Sequence, residues 1–168
     1  MSGPRLDVLA PRDAPVIVFR RVFQAPPWLV FEAWTEPGHL RHWRGPRGFE
    51  IVACEVDLRV GGRYRFVHRA PDGSEHVFSG QYRQIDRPSR LVSTLVYDAA
   101  PAIEVLDEVT FEENGGTTLV TGRSAFPTFE ARALYLDGGA ERGLAECHEH
   151  LDELLRALLS RPRERQGP

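Results

Sequence analysis

The sequence predicts an α+β domain: a curved, seven-stranded antiparallel sheet on one long C-terminal helix, with two short helices between strands one and two. Three observations carry this expectation. Two tryptophan-bearing helical segments, Pro26 to Trp34 and Glu36 to Trp43, follow a single strand. A run of period-two segments then extends from Phe49 to Thr121, and one strongly amphipathic helix closes the chain. About seven strands at ~4.8 Å spacing make a sheet ~30 Å wide, whereas a helix with its side chains is ~10 Å across. One helix therefore leaves part of the concave face to be filled by large side chains or left as a pocket.

Residues 1–15 hold three prolines and little periodicity, and are expected to form a flexible leader. Val16 to Gln24 is a β-branched and aromatic run in which Ile17, Phe19, Arg21 and Phe23 share one face. Ala25-Pro26-Pro27 ends that strand and starts a helix, because proline's missing N–H costs nothing in a first turn. Leu29, Val30, Ala33 and Trp34 follow at helical spacing, and the second short helix stops before Gly45-Pro46.

From Phe49 the period is two. Val52, Cys54, Val56 and Leu58 form one face, Gly61-Gly62 turns the chain, and Tyr64, Phe66 and His68 alternate with Arg63, Arg65 and Arg69. Pro71-Asp72-Gly73 has the residue types of a hairpin turn. His76, Phe78, Gly80 and Tyr82 make the next inner face, with Gly80 marking a bend. Leu91, Leu95 and Tyr97 follow, then Val105, Asp107, Val109 and Phe111, and Asn114-Gly115-Gly116 leads to Leu119 and Thr121. After Pro127 the pattern turns helical, with a break at Asp137-Gly138-Gly139. From Ala140, Leu144, Cys147, Leu151, Leu154, Leu155 and Leu158 share one stripe until Pro162. Residues 16–160 are expected as one domain and 161–168 as a disordered tail.

The bulk numbers bound the class. With 168 residues and 42% hydrophobic content the chain suits one buried core. A net charge of -3 without a basic, aromatic-interleaved stripe argues against nucleic acid as a partner. All 21 basic residues are arginine, which hints at a GC-rich bacterial source. Cys54 and Cys147 lack CxxC spacing and suit a reducing cytoplasm. No signal peptide, lipidation motif or long apolar run is present, so membrane insertion is not expected and a cytoplasmic location is.

Several strings resemble one family in order along the chain. Arg21-Val-Phe-Gln-Ala-Pro, Val30-Phe-Glu-Ala-Trp-Thr35, Leu40-Arg-His-Trp43 and Gly45-Pro-Arg-Gly-Phe49 come first. Asp57-Leu-Arg-Val-Gly-Gly-Arg-Tyr64, Ser79-Gly-Gln-Tyr82, Val109-Thr-Phe-Glu-Glu and Gly116-Thr-Thr-Leu119 follow. This order resembles the SRPBCC (START-like, Bet v 1-like) superfamily, in its branch named for the activator of the heat-shock-protein-90 ATPase. The resemblance spans about Val16 to Leu159 and implies a helix-grip fold. Two departures, Trp43-Arg44 and Gly143-Leu144, replace aromatic bulk expected from that pattern. The superfamily includes carriers, receptors, cyclases and co-chaperone domains, so fold alone does not name a function.

The candidate ligand-binding residues are those with inward parity. Tyr64, Phe66, Phe78, Tyr82, Leu95 and Tyr97 form an amphipathic lining whose hydroxyls need partners or water. His68, on the same face, is either a satisfied core or rim histidine or a pocket hydrogen-bonder and general base. Arg21 and Asp107 are charged at inward positions, which points to a structural pair, pairs with other groups, or Arg21 as an anchor for a ligand's carboxylate or carbonyl. Trp34 and Trp43 either cap the pocket mouth or pack beneath the front helices. Cys147 and His148 complete the set from the last helix. His148 and His150 point ~200° apart and cannot chelate one metal together, and Cys147 with His150 lacks further ligands, so no metal is expected.

No nucleophile elbow, phosphate loop or nicotinamide fingerprint occurs, and neither a cofactor nor a catalytic residue is implied. The expected role is binding of a small hydrophobic or aromatic molecule between the sheet and the last helix. Co-chaperone regulation of a heat-shock-protein ATPase, through a chaperone partner, is one alternative. Cyclase- or hydrolase-like chemistry on a polyketide-like substrate is another, and a homodimer stays open.

Overall fold

The computed structural model describes residues 5–161. Strand β1 (Asp7–Leu9) is followed by β2 (Val16–Phe23), helices α1 (Pro27–Thr35) and α2 (Pro37–Trp43), and strands β3 (Glu50–Val56) and β4 (Arg63–Arg69). Then come β5 (Glu75–Asp86), β6 (Arg90–Tyr97), β7 (Glu104–Asn114) and β8 (Thr117–Ala125), and helices α3 (Phe129–Asp137) and α4 (Ala140–Ser160). All eight strands form one antiparallel sheet in the order β1-β2-β8-β7-β6-β5-β4-β3. The expected helix-grip arrangement is present with one strand more than anticipated.

The extra strand corrects the leader assigned to residues 1–15. Asp7–Leu9 pairs with β2 from Asp7 opposite Arg20 to Leu9 opposite Val18. Behind it, the Arg132 guanidinium donates to the carbonyls of Pro11, Ala14 and Val16 at 2.5, 2.9 and 3.2 Å. A three-residue strand is too short to show a period, so its partners rather than its own pattern hold it. The disordered tail expected at 161–168 lies, beyond Arg161, outside the described residues.

The front helices form because Pro27 and Pro37 occupy first-turn positions. They are joined by Trp43, whose Nε1 donates to the Ala33 carbonyl at 2.8 Å. Thr128 caps α3 by accepting from the Ala131 amide at 3.0 Å. Helix α4 runs 21 residues, ~31 Å at 1.5 Å per residue, and packs against α1 and α2. Its Leu151 and Leu155 are fully buried with Phe23, Val30, Leu40 and Trp43, so the core sits where β2 and β8, the front helices and α4 meet.

Two glycines let this sheet curve closely around its contents. A Cβ on Gly80 would lie 1.8 Å from the Thr94 carbonyl oxygen and 2.6 Å from the Tyr64 hydroxyl. The bend expected at Gly80 is thus also the space through which Tyr64 donates to Thr94 O, at 2.5 Å. On β8, the Phe19 ring occupies the room a side chain at Gly122 would need.

Candidate functional site

Beyond the buried core, the sheet and α4 diverge and enclose a cavity of about 720 Å3. Its walls come from β4, β5, β6 and β7, from the segment after α2, from the α3–α4 turn, and from the first turns of α4. Tyr64, Phe66, His68, Phe78, Tyr82, Leu95, Tyr97, Asp107, Trp34, Trp43, Cys147 and His148 all border it. Period-two alternation on the strands and the apolar stripe on the helix bring these residues to one space.

Arg21 is the exception. Its side chain is buried outside the cavity, with Nη2 3.7 Å from Asp152 Oδ2 and the guanidinium 4.9 Å from the Phe23 ring centroid. Asp152 also accepts from Arg156 at 2.9 Å. The inward parity was right, but the partner is on α4, one cation and one carboxylate tying β2 to that helix. The anchoring role and the pairing with Asp107 are both corrected, because nothing in a strand's period says which helix residue lies opposite. Asp107 instead accepts from the Ser124 hydroxyl at 2.5 Å on the neighbouring strand.

The aromatic walls are ordered by stacking. Phe78 stacks on Tyr97 at 4.8 Å between ring centroids with 14° between the ring planes, and Tyr64 on Phe66 at 5.0 Å with 29°. Trp34 meets Trp43 at 4.7 Å. Trp43 is buried and bonded to the α1 backbone, so it packs beneath the front helices and offers the cavity only part of its ring. His148 sits among Phe19, Phe23, Trp34 and Trp43, and neither ring nitrogen has a hydrogen-bond partner.

Burial sets the electrostatics. Desolvation, with Arg21 and Arg44 adding repulsion, pushes His148 down to about 3. Burial and Arg44 likewise take His68 down to about 4, and its Nε2 has no partner. Both are neutral imidazoles at neutral pH. Burial raises Tyr64, holds Tyr82 up at about 12 and raises Cys147. Asp107 is half-buried where it opens onto the cavity, and its carboxyl is raised, chiefly by desolvation, against the opposing hydrogen bond from Ser124 and the charge of Arg44.

Sequence reasoning missed two features. His76 was assigned to an inner face but not to the site. Its Nδ1 lies 2.5 Å from the Tyr97 hydroxyl and its Nε2 3.3 Å from Ser74 Oγ, which donates to Asp72 at 2.6 Å. The alternation that placed Tyr97 inward was the available signal. Arg44, read only as a departure from a family pattern, lines the cavity with its guanidinium over the Phe66 ring at 4.9 Å and 5.7 Å from the Trp43 ring centroid. It follows α2 in extended backbone, where no period predicts direction.

Among the described residues no group of three or more His, Cys, Asp or Glu side chains gathers as a metal site. No helix among them is long and apolar enough to cross a membrane.

A family model described as Activator of Hsp90 ATPase homolog 1-like protein matches residues 24–156. The chain belongs to this family. Structures of family-like fold agree across almost the whole domain. A protein of Rhodobacter sphaeroides superposes with a TM-score of 0.83 at 28% identity, covering 92% of this chain and 99% of its own. One from Nitrosomonas europaea gives 0.80 at 28% identity, covering 89% and 99%. A solution structure from Arthrobacter aurescens shares the fold at a TM-score of 0.83 and 22% identity, covering 96% and 98%. No curated protein matches the chain. Membership of the Activator of Hsp90 ATPase homolog 1-like family supports the SRPBCC helix-grip reading.

Proposed function

We propose that this protein binds a small hydrophobic or aromatic molecule in the cavity between the sheet and α4. The observation that carries this reading is the cavity itself, about 720 Å3 beside the buried core. That volume falls within the ~300–1,000 Å3 typical of small-molecule sites. Its walls carry stacked aromatic rings, and the polar groups set among them include Arg44, His68, Asp107 and the Tyr82 and Tyr97 hydroxyls, with the charged Glu108 and Arg123 also at its border.

Affinity comes from apolar contact and orientation from these polar groups. An aromatic ligand burying ~200 Å2 of apolar surface gains ~5 kcal/mol at ~25 cal/mol per Å2. Tyr97, held by His76, presents an ordered hydroxyl to such a ligand. Native mass spectrometry of protein purified from its source, followed by denaturing release, tests the reading. A co-purifying molecule of a few hundred daltons is expected. A ligand-free protein that also fails to bind any member of an aromatic fragment library overturns it.

A further inference from the structure

We infer that the molecule held in the cavity is a planar aromatic carboxylate whose single negative charge is met by Arg44. This rests on the binding role proposed above and adds the charge class of the ligand. Three observations carry it: the position of Arg44, the commitment of the nearby acids elsewhere, and the neutrality of the buried imidazole, phenol and thiol groups of the cavity.

Arg44 lines the cavity with its guanidinium 4.9 Å from the centroid of Phe66, itself a wall. Among the described residues no carboxylate oxygen lies within 4.0 Å of it, and its Nε is buried without a hydrogen-bond partner. Packing, rather than pairing, holds this cation at the wall, and a half-buried cation at an apolar wall is costly to leave unmatched.

The acids of α4 that could have matched it are engaged away from the cavity. Glu146 accepts from the Arg47 amide and from Arg142, Glu149 pairs with Arg47, and Asp152 holds Arg21 and Arg156. Of the two acids bordering the cavity, Asp107 is bonded to Ser124 and burial favours its neutral form, and Glu108 pairs with Arg90 at 3.2 Å. His68, Tyr64, Tyr82, Cys147 and His148 are each shifted toward neutrality by burial. Arg44 is therefore a half-buried cation without a carboxylate partner, while Arg123, the other cation bordering the cavity, is exposed to solvent, and a monoanion balances Arg44.

A guanidinium fork matches a carboxylate in geometry as well as charge, and the stacked walls select a flat ring behind it. A phosphate monoester, with close to two charges, would leave one uncompensated by Arg44, because the other cation at the cavity's border, Arg123, is exposed to solvent.

The test compares matched probes by isothermal titration calorimetry: 2-naphthoate, the isosteric neutral 2-naphthamide, and 2-naphthyl phosphate. Wild type is expected to bind the carboxylate at least tenfold more tightly than the amide and more tightly than the phosphate. Arg44→Gln should lose about tenfold for the carboxylate and leave the amide unchanged, and Arg44→Lys should recover part of the loss. Asp107→Asn should keep the preference or strengthen it. Circular dichroism of each variant checks folding, and the wild-type ratio stands without any variant. Equal binding of carboxylate and amide, tighter binding of the phosphate, or a preference that survives Arg44→Gln overturns the charge assignment while leaving the cavity's binding role intact. Failure of all three probes at millimolar concentration overturns both.

Discussion

Replacing His148 by leucine should stabilise the protein in acid and flatten the pH dependence of its folding. His148 is fully buried, both its ring nitrogens lack partners, and its neighbours are the rings of Phe19, Phe23, Trp34 and Trp43. Its folded-state value, about 3, is depressed from an ordinary 6.5 by burial first and then by Arg21 and Arg44. The sign follows from proton counting. Below pH 6.5 the unfolded chain takes up a proton that the folded chain refuses until about pH 3. Stability from this group is therefore complete above 6.5 and is lost as pH falls toward 3. At about 1.4 kcal/mol per pH unit, the loss relative to pH 8 reaches ~2 kcal/mol by pH 5 and ~3 kcal/mol by pH 4. His68 titrates in the same direction, but it is present in both proteins and cancels in the difference. At pH 8 the leucine variant should be at least as stable as wild type, because it removes a buried polar ring that bonds to nothing. Urea unfolding followed by far-ultraviolet circular dichroism at pH 8, 6 and 5 measures this. The stability gap between variant and wild type should widen in the variant's favour by ~2 kcal/mol from pH 8 to pH 5. Parallel pH profiles would refute the argument.

Three further outcomes are expected. Gly80→Ala should cost ~2 kcal/mol or more in chemical denaturation, since its methyl group would meet the Thr94 backbone oxygen rather than a movable side chain. Asp152→Ala should cost about 2–4 kcal/mol by leaving Arg21 buried and unpaired, yet leave affinity for an aromatic probe unchanged, because neither residue borders the cavity. Asp107→Asn should remove the part of stability that declines with rising pH. The carboxyl's raised value means that its contribution is complete below its unfolded-state value and lost as pH rises through the folded one. Thermal unfolding from pH 4 to 9 should show wild type losing stability relative to the variant on the alkaline side.

Much of the fold was legible because its elements are long enough to show a period. The alternation of Tyr64, Phe66 and His68 against Arg63, Arg65 and Arg69 fixed one cavity wall, and the leucine stripe of α4 fixed the surface opposite. Where period fails, the reading failed. Asp7–Leu9 is too short to alternate and is held by β2 and Arg132. Arg44 follows a helix in extended backbone, and only the folded chain shows it turned onto Phe66. Arg21 had the correct face, but its carboxylate lies 131 positions away on α4, a distance that no local pattern spans.

The short first strand has a practical consequence for anyone trimming the chain. Asp7–Leu9 covers part of the outer border of β2, and the Arg132 clamp occupies carbonyls just behind it. Deleting the first ten residues would bare the hydrogen-bonding groups of Val18–Arg20 and leave the outer border of the eight-residue strand Val16–Phe23 open to pairing with another copy. A shortened version should accordingly aggregate on standing, and light scattering over days would reveal it while the untrimmed chain stays clear.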